Sequence, residues 1–208
     1  MEDFISKNRT LELNAGTIEN PIIDCDLSLD QALRRNPNFI LPGIDEIYEK
    51  QVLLTIKYLS FDGKYHQGQI IIDRDLEKDV LDLFDFLIEQ NFPIGKMIPV
   101  TSEIFDFNDD KSMAENNSSG FNPRFIAGTD RPSNHAYGRA IDINPAQNPF
   151  IKNGKTEPAG AEYNLEKSGT ITPLIVEFLK ERGWRWGGDY ENLKDYHHFD
   201  KLFNEITK

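Results

Sequence analysis

The sequence is poor in three things. It has one cysteine, Cys25, so no disulfide can form within the chain. A cysteine-based zinc site is excluded as well, and any metal here has to use histidine and carboxylate. Cys25 itself reads as a small buried or half-buried side chain. Long apolar runs are missing: none reaches the ~18 residues a membrane span needs. The N-terminus, M-E-D-F-I-S-K-N, has no apolar segment of the signal-peptide kind. Positive charge is also scarce, with 23 Lys and Arg against 35 Asp and Glu, a formal charge of -12. A phosphate-binding face needs clustered Lys and Arg, so this balance argues against nucleic acid as the main partner.

The 208 residues fit one domain, or one domain with an N-terminal extension. A chain of this length can bury about 70% of its unfolded surface without staples. Residues 1–50 are weakly patterned. Within them L-S-L-D-Q-A-L-R-R reads as a short helix, with Ser28 as N-cap and Gln31 in capping-box position. Pro37 and Pro42-Gly43 follow as breakers. Residues 51–73 read as a β-hairpin turning at Asp62-Gly63, with His66 a surface residue beside the turn. Residues 75–91 read as a helix, with Leu76, Val80, Leu83, Phe84, Leu87 and Ile88 on one face.

Residues 101–132 are polar and weakly patterned, and read as a long functional loop. Ala140 to Ile143 reads as a short buried strand, and 146–170 as another loop. Pro173 to Arg182 reads as a helix, with Thr172 as N-cap, proline at N1 and Gly183 at its stop. The mixed order implies an α+β fold, with helices flanking a small antiparallel sheet.

Histidine is also sparse, with four in the chain, and one lies in S-N-H-A-Y-G-R-A-I-D-I-N-P, residues 133–145. Asp142 sits there inside an apolar run that demands burial. A buried carboxylate is costly unless it is paired or binds a metal. His135 precedes it by seven residues, an offset that excludes one face of a single strand. His135 is therefore expected from a turn that Gly138 allows, and Asp142 from the strand, converging on one point. A metal ion explains both. His197 and His198 are the candidates for a third ligand, and Asp195 stands three residues before His198. A catalytic zinc site needs three protein ligands, an open position, and a carboxylate left free to take a proton. The spacing D-x-x-H can deliver a ligand and that base from one short turn.

These residues are recognisable. S-N-H-A-Y-G-R-A-I-D resembles the S-x-H-x-x-G-x-A-x-D signature of the zinc D-Ala-D-Ala carboxypeptidase and L-alanyl-D-glutamate endopeptidase superfamily. G-W-R-W-G-G-D-Y followed by D-Y-H-H-F resembles its second signature. F-D-G-K-Y-H-Q-G-Q-I, S-M-A-E-N-N-S-S-G-F-N-P-R and A-I-D-I-N-P-A-Q-N-P-F are similar to its carboxypeptidase-like branch, so the resemblance covers roughly residues 50–204. It implies a Hedgehog/D-Ala-D-Ala peptidase-like fold, with a zinc peptidase domain at 51–208 and residues 1–50 as an extension packing on or leading into it.

The resemblance also implies roles. His135, Asp142 and His198 would bind Zn2+, and Asp195 would be the general base. His198 is preferred to His197 because the family ligand directly precedes the aromatic of H-F. Arg124 would hold a substrate carboxylate or stabilise the oxyanion, with Arg131 and Arg139 as competitors. Ser133 would order the turn or the site, and Ser133, Trp186 and His197 are expected near substrate. Trp184 and Trp186 divide between packing and groove lining, and Asp189 is expected to orient a ligand histidine. The implied reaction is hydrolysis of peptidoglycan stem peptides, first at D-Ala-D-Ala, alternatively at L-Ala-D-Glu. A zinc-containing binding module without hydrolysis, as in the Hedgehog signalling domain, is the reading from another class. Such a substrate implies an extracytoplasmic location, periplasmic or secreted; the oligomeric state is left open.

Overall fold

The structure, a computed structural model, describes residues 15–203. Its first elements are short: β1 (Ile22–Ile23), α1 (Leu29–Ala32) and α2 (Ile44–Glu49). α1 begins as its sequence predicts. Ser28 Oγ accepts from the Gln31 amide, and the Gln31 side chain accepts from the Ser28 amide. α2 is an element the sequence reading missed; it follows Gly43 at φ 74° and buries Tyr48.

The predicted hairpin is present as β2 (Gln51–Leu59) and β3 (Tyr65–Asp73), in register from Gln51 opposite Asp73 to Leu59 opposite Tyr65. Gly63 takes φ 78° in its turn. β1 adds to β3 in parallel. Side chains alternate between the two faces of a strand. Leu54, Ile56, Tyr58, Ile70 and Ile72 therefore enter the main core. Ile71 points the other way, into a cluster with Ala32, Tyr48 and Phe121. Both faces are covered, which explains the unbroken I-I-I run. Residues 22–48 thus pack on the hairpin. His66 is not the surface residue expected: it is half-buried, with Nδ1 2.8 Å from Asp24 and Nε2 3.3 Å from Asp62.

α3 (Glu77–Glu89) lays Val80, Leu83, Phe84 and Leu87 on the hairpin's core face. The segment 101–132, read as loop, is built in. It follows β4 (Lys96–Met97) and holds α4 (Asp109–Ala114) and β5 (Asn117–Ser118), with Phe105 and Phe121 buried. β6 (Ala140–Asp142) follows. The stretch 146–170 also differs from expectation, because it contains a hairpin, β7 (Phe150–Lys152) and β8 (Lys155–Glu157). Then come α5 (Pro173–Lys180), β9 (Arg185–Trp186), β10 (Lys194–Asp195) and β11 (His198–Asp200).

The architecture is α+β, but the strands form several small sheets rather than one. Beside the hairpin sheet stand β6-β11-β9 and β10-β7-β8, both antiparallel, and the parallel pair β4-β5. The main core joins the hairpin sheet to β6-β11-β9: Ile141, Ile143 and Phe199 meet the hairpin, α3, α5 and Trp184.

Candidate metal centre

His135 lies on a single 3-10 turn, Asn134–Tyr137. Ser133 caps that turn, its Oγ accepting from the His135 amide at 3.3 Å. Gly138 ends it at φ 68°, and a Cβ there would stand 2.0 Å from Gln51 Oε1 and 2.6 Å from the Asp73 amide nitrogen. Only glycine tolerates that conformation and that approach. Asp142 ends β6, and His198 opens β11 directly opposite it. Residues opposite one another in an antiparallel pair share a face. Turn and strand pair therefore bring three side chains to one point.

His135 Nε2 lies 3.1 Å from His198 Nδ1 and 3.1 Å from Asp142 Oδ2, and His198 Nδ1 lies 3.0 Å from Asp142 Oδ1. Tetrahedral zinc with bonds of ~2.0–2.1 Å sets its donors about 3.3 Å apart. The outer ring nitrogens are committed elsewhere. His135 Nδ1 donates to the Gly120 carbonyl at 2.7 Å, and His198 Nε2 faces Asp200 Oδ2 at 3.4 Å. Those partners leave both inward nitrogens as lone pairs aimed at a carboxylate, which is the donor set of a zinc site. Among the described residues these three are the group of His, Cys, Asp and Glu side chains able to hold a metal ion.

Without a metal, protons have to relieve this arrangement. Burial alone would raise the Asp142 carboxyl, but the charges of His135 and His197 and hydrogen bonds from His135 and His198 hold it well below the usual range. Burial would lower His198, yet its bonds to Asp142 and Asp200 push it up to about 10. His197 is pushed up to about 9 against its burial, chiefly by Asp195 and then Asp142.

Asp195 comes from a different sheet. β10 pairs with β7, Asp195 opposite Phe150. The bare Cα of Gly187 lets the backbone press against it: a Cβ there would be 2.4 Å from the Asp195 carbonyl oxygen. The Asp195 side chain keeps 18% of its surface exposed, so a small molecule can reach it. Its Oδ1 lies 2.9 Å from His197 Nε2 as an ion pair and finds no aligned hydrogen-bond donor among the described residues. Burial opposes ionisation of Asp195, but His197 outweighs it and holds the carboxyl below its ordinary value.

The other expected residues lie as follows. Arg124 lies on the irregular segment beside the His135 turn, where the Ser133 amide donates to its carbonyl. Its guanidinium pairs with Asp109 at 2.9 Å, and its Nε is buried without a partner. Arg139 is buried, bonded to the Lys201 and Leu202 carbonyls, and Arg131 is exposed. Trp184 is in the core and donates to Asp79. Trp186 pairs with Phe199, so it lies on the core face of its sheet, opposite the face that carries His198 and Asp142. His197 is buried, not exposed. Asp189 does not orient a ligand: it pairs with Lys180 at 2.6 Å on the surface.

Asp200 takes the orienting position instead, and the sequence reading missed it. It is buried, accepts from Arg185 Nε at 2.7 Å, Arg185 Nη2 at 2.8 Å and Asn134 Nδ2 at 2.7 Å, and faces His198. Its carboxyl is held far below the ordinary range; burial opposes this, and the His198 and Arg185 hydrogen bonds overcome it. A signal existed, since i and i+2 on one strand share a face. Tyr190 feels the same charges. Burial first, then the charge of Asp200, with smaller contributions from Asp195 and Asp142, pushes its hydroxyl up to about 12.

Residues 127–201, which hold the three donors and Asp195, match the family described as D-alanyl-D-alanine carboxypeptidase. No solved structure matches the chain.

Proposed function

We propose that this chain, which belongs through residues 127–201 to the zinc D-Ala-D-Ala peptidase superfamily, hydrolyses an amide bond in peptidoglycan stem peptides. The observation that carries the reading is the pairing of a three-donor cluster with one carboxylate that is not a donor. His135, Asp142 and His198 would hold the ion. Zinc bound there supplies a Lewis acid for the carbonyl and makes water a nucleophile near neutral pH. Asp195, ionised and reachable, takes the proton of the attacking water and returns it to the leaving amine. Asp200 and the Gly120 carbonyl hold the two imidazoles in their ligating tautomers. Ser133 holds the turn from which His135 projects. The substrate lies outside the cytoplasm, so the protein acts there.

The primary reading is removal of the terminal D-Ala. One observation favours the endopeptidase reading: the Arg124 guanidinium already holds Asp109. A terminal carboxylate would have to compete with that ion pair, whereas an internal bond has no terminal charge to be held. A binding module without hydrolysis would not need Asp195 ionised beside the donors.

The test is digestion of purified muropeptides by zinc-loaded protein, read by mass spectrometry, with Asp195→Ala as control. Loss of one alanine supports the carboxypeptidase, and cleavage after L-Ala supports the endopeptidase. Zinc-loaded protein that cleaves neither bond overturns the hydrolytic reading.

A further inference from the structure

The chain carries a fourth buried histidine-carboxylate contact that the zinc donors do not use. His197 is 4% exposed, and its ring is fixed at both ends. Nδ1 lies 2.8 Å from the Asn148 carbonyl, and Nε2 lies 2.9 Å from Asp195 Oδ1. Asn148 is itself immobilised. Its Nδ2 donates to the carbonyls of Ile143, Asn144 and Gly169, and its Oδ1 accepts from the Ile171 amide. The His197 carbonyl accepts from the Ile143 amide, one residue after Asp142.

We infer that His197 is a positioning residue for Asp195, a strut running from Asn148 through the imidazole to the carboxylate. The inference rests on the reading of Asp195 as the base, and it changes the role expected for His197 from substrate contact to support. A side chain this buried and held by two protein partners has little left to offer a peptide. Asp195 needs such a support: its strand β10 has only two residues and pairs with a surface hairpin. Among the described residues its Oδ1 finds no aligned hydrogen-bond donor, and the His197 imidazole at 2.9 Å is its ion-pair partner. A base displaced by about 1 Å costs about 10²-fold in rate.

Two variants separate the ends of the strut. His197→Asn keeps a donor near the Asn148 carbonyl and loses the reach to Asp195. His197→Gln keeps a donor near Asp195. With zinc-loaded protein, His197→Asn is expected to lower kcat about 10²-fold with KM and zinc content little changed, and His197→Gln to recover part of the loss. In an Asp195→Ala background, His197→Asn should cost nothing more, because the two residues act as a unit. A rise in KM with kcat intact would mean substrate contact and overturn the inference. So would a parallel fall in Tm and zinc content, or a full additive loss in the double variant. Crystal structures of the zinc-loaded proteins give a readout that needs no substrate. Asp195 should hold one rotamer in the wild type and in His197→Gln, and leave it in His197→Asn. An unchanged rotamer in His197→Asn overturns the strut. Wild-type protein that cleaves no wall peptide would sink the hydrolytic reading, while the crystal structures still decide this one.

Discussion

His135 and His198 face each other across 3.1 Å through ring nitrogens whose opposite atoms are both engaged, one by the Gly120 carbonyl and one by Asp200. Two imidazoles held this way, with Asp142 closing the triangle, are poised for a cation. The partner of His198 is the more open to testing, because it is a side chain. Asp200→Asn removes the charge and halves the acceptors offered to Arg185, Asn134 and His198. Zinc affinity, measured by competition with a chromogenic chelator, is expected to fall about 10- to 100-fold. His135→Ala or His198→Ala should instead abolish stoichiometric zinc.

Stability and zinc affinity should move in opposite directions with pH. In the metal-free protein His197 and His198 are raised above the ordinary histidine value, to about 9 and about 10. Their contribution to stability is complete below ~6.5 and is lost as pH rises through those values. Zinc requires the unprotonated His198 nitrogen, so it binds more tightly over the same interval. Thermal melts with chelator should show Tm falling from pH 7 to 10, and the increment on adding zinc should grow. A chelated protein whose Tm is flat across that interval would contradict this electrostatic account.

Arg124 decides between the two bonds. If it binds a terminal carboxylate, Arg124→Ala should raise KM for a peptide ending in D-Ala-D-Ala by about 10- to 100-fold, the loss of one charge-assisted contact of ~1.5–3 kcal/mol. If its function is the Asp109 ion pair, the variant should lower Tm and leave KM nearly alone. Steady-state kinetics and melting on the same preparation distinguish these outcomes.

Gly138→Ala should be severe for its size. The residue is at φ 68°, and the added methyl would meet Gln51 Oε1 and the Asp73 amide nitrogen. Strain in the left-handed region alone costs roughly 1 kcal/mol or more. Relief would displace the turn that carries His135, so zinc affinity and Tm should fall together. A variant with normal zinc affinity would show that the turn does not depend on this glycine.

Much of the local structure was legible in the chain. Asp62-Gly63 between two β-rich runs marks the first hairpin, and the 3/4 spacing of Val80, Leu83, Phe84 and Leu87 marks α3. The convergence of His135 and Asp142 followed from their offset and the apolar setting of the aspartate. The second hairpin carried the same kind of signal, Asn153-Gly154 between F-I-K and K-T-E, with both residues at positive φ in the structure. Its strands are only three residues each, too short for an alternating pattern to show. The partners of His197 and His198 were not legible. Asn148 lies 49 residues before His197 in the chain, and only the β-pairing sets it there. Register decided Trp186 as well, by pairing it with Phe199 on the core face.

The donors stand on β6, β11 and the Ser133-capped turn, whereas Asp195 stands on the strand borne by the 150–157 hairpin. Under the proposed roles, ion retention and proton handling would have separate mechanical foundations, joined through Tyr196 and His197. With those roles, shortening the 150–157 hairpin is expected to alter turnover while leaving the ion's grip intact.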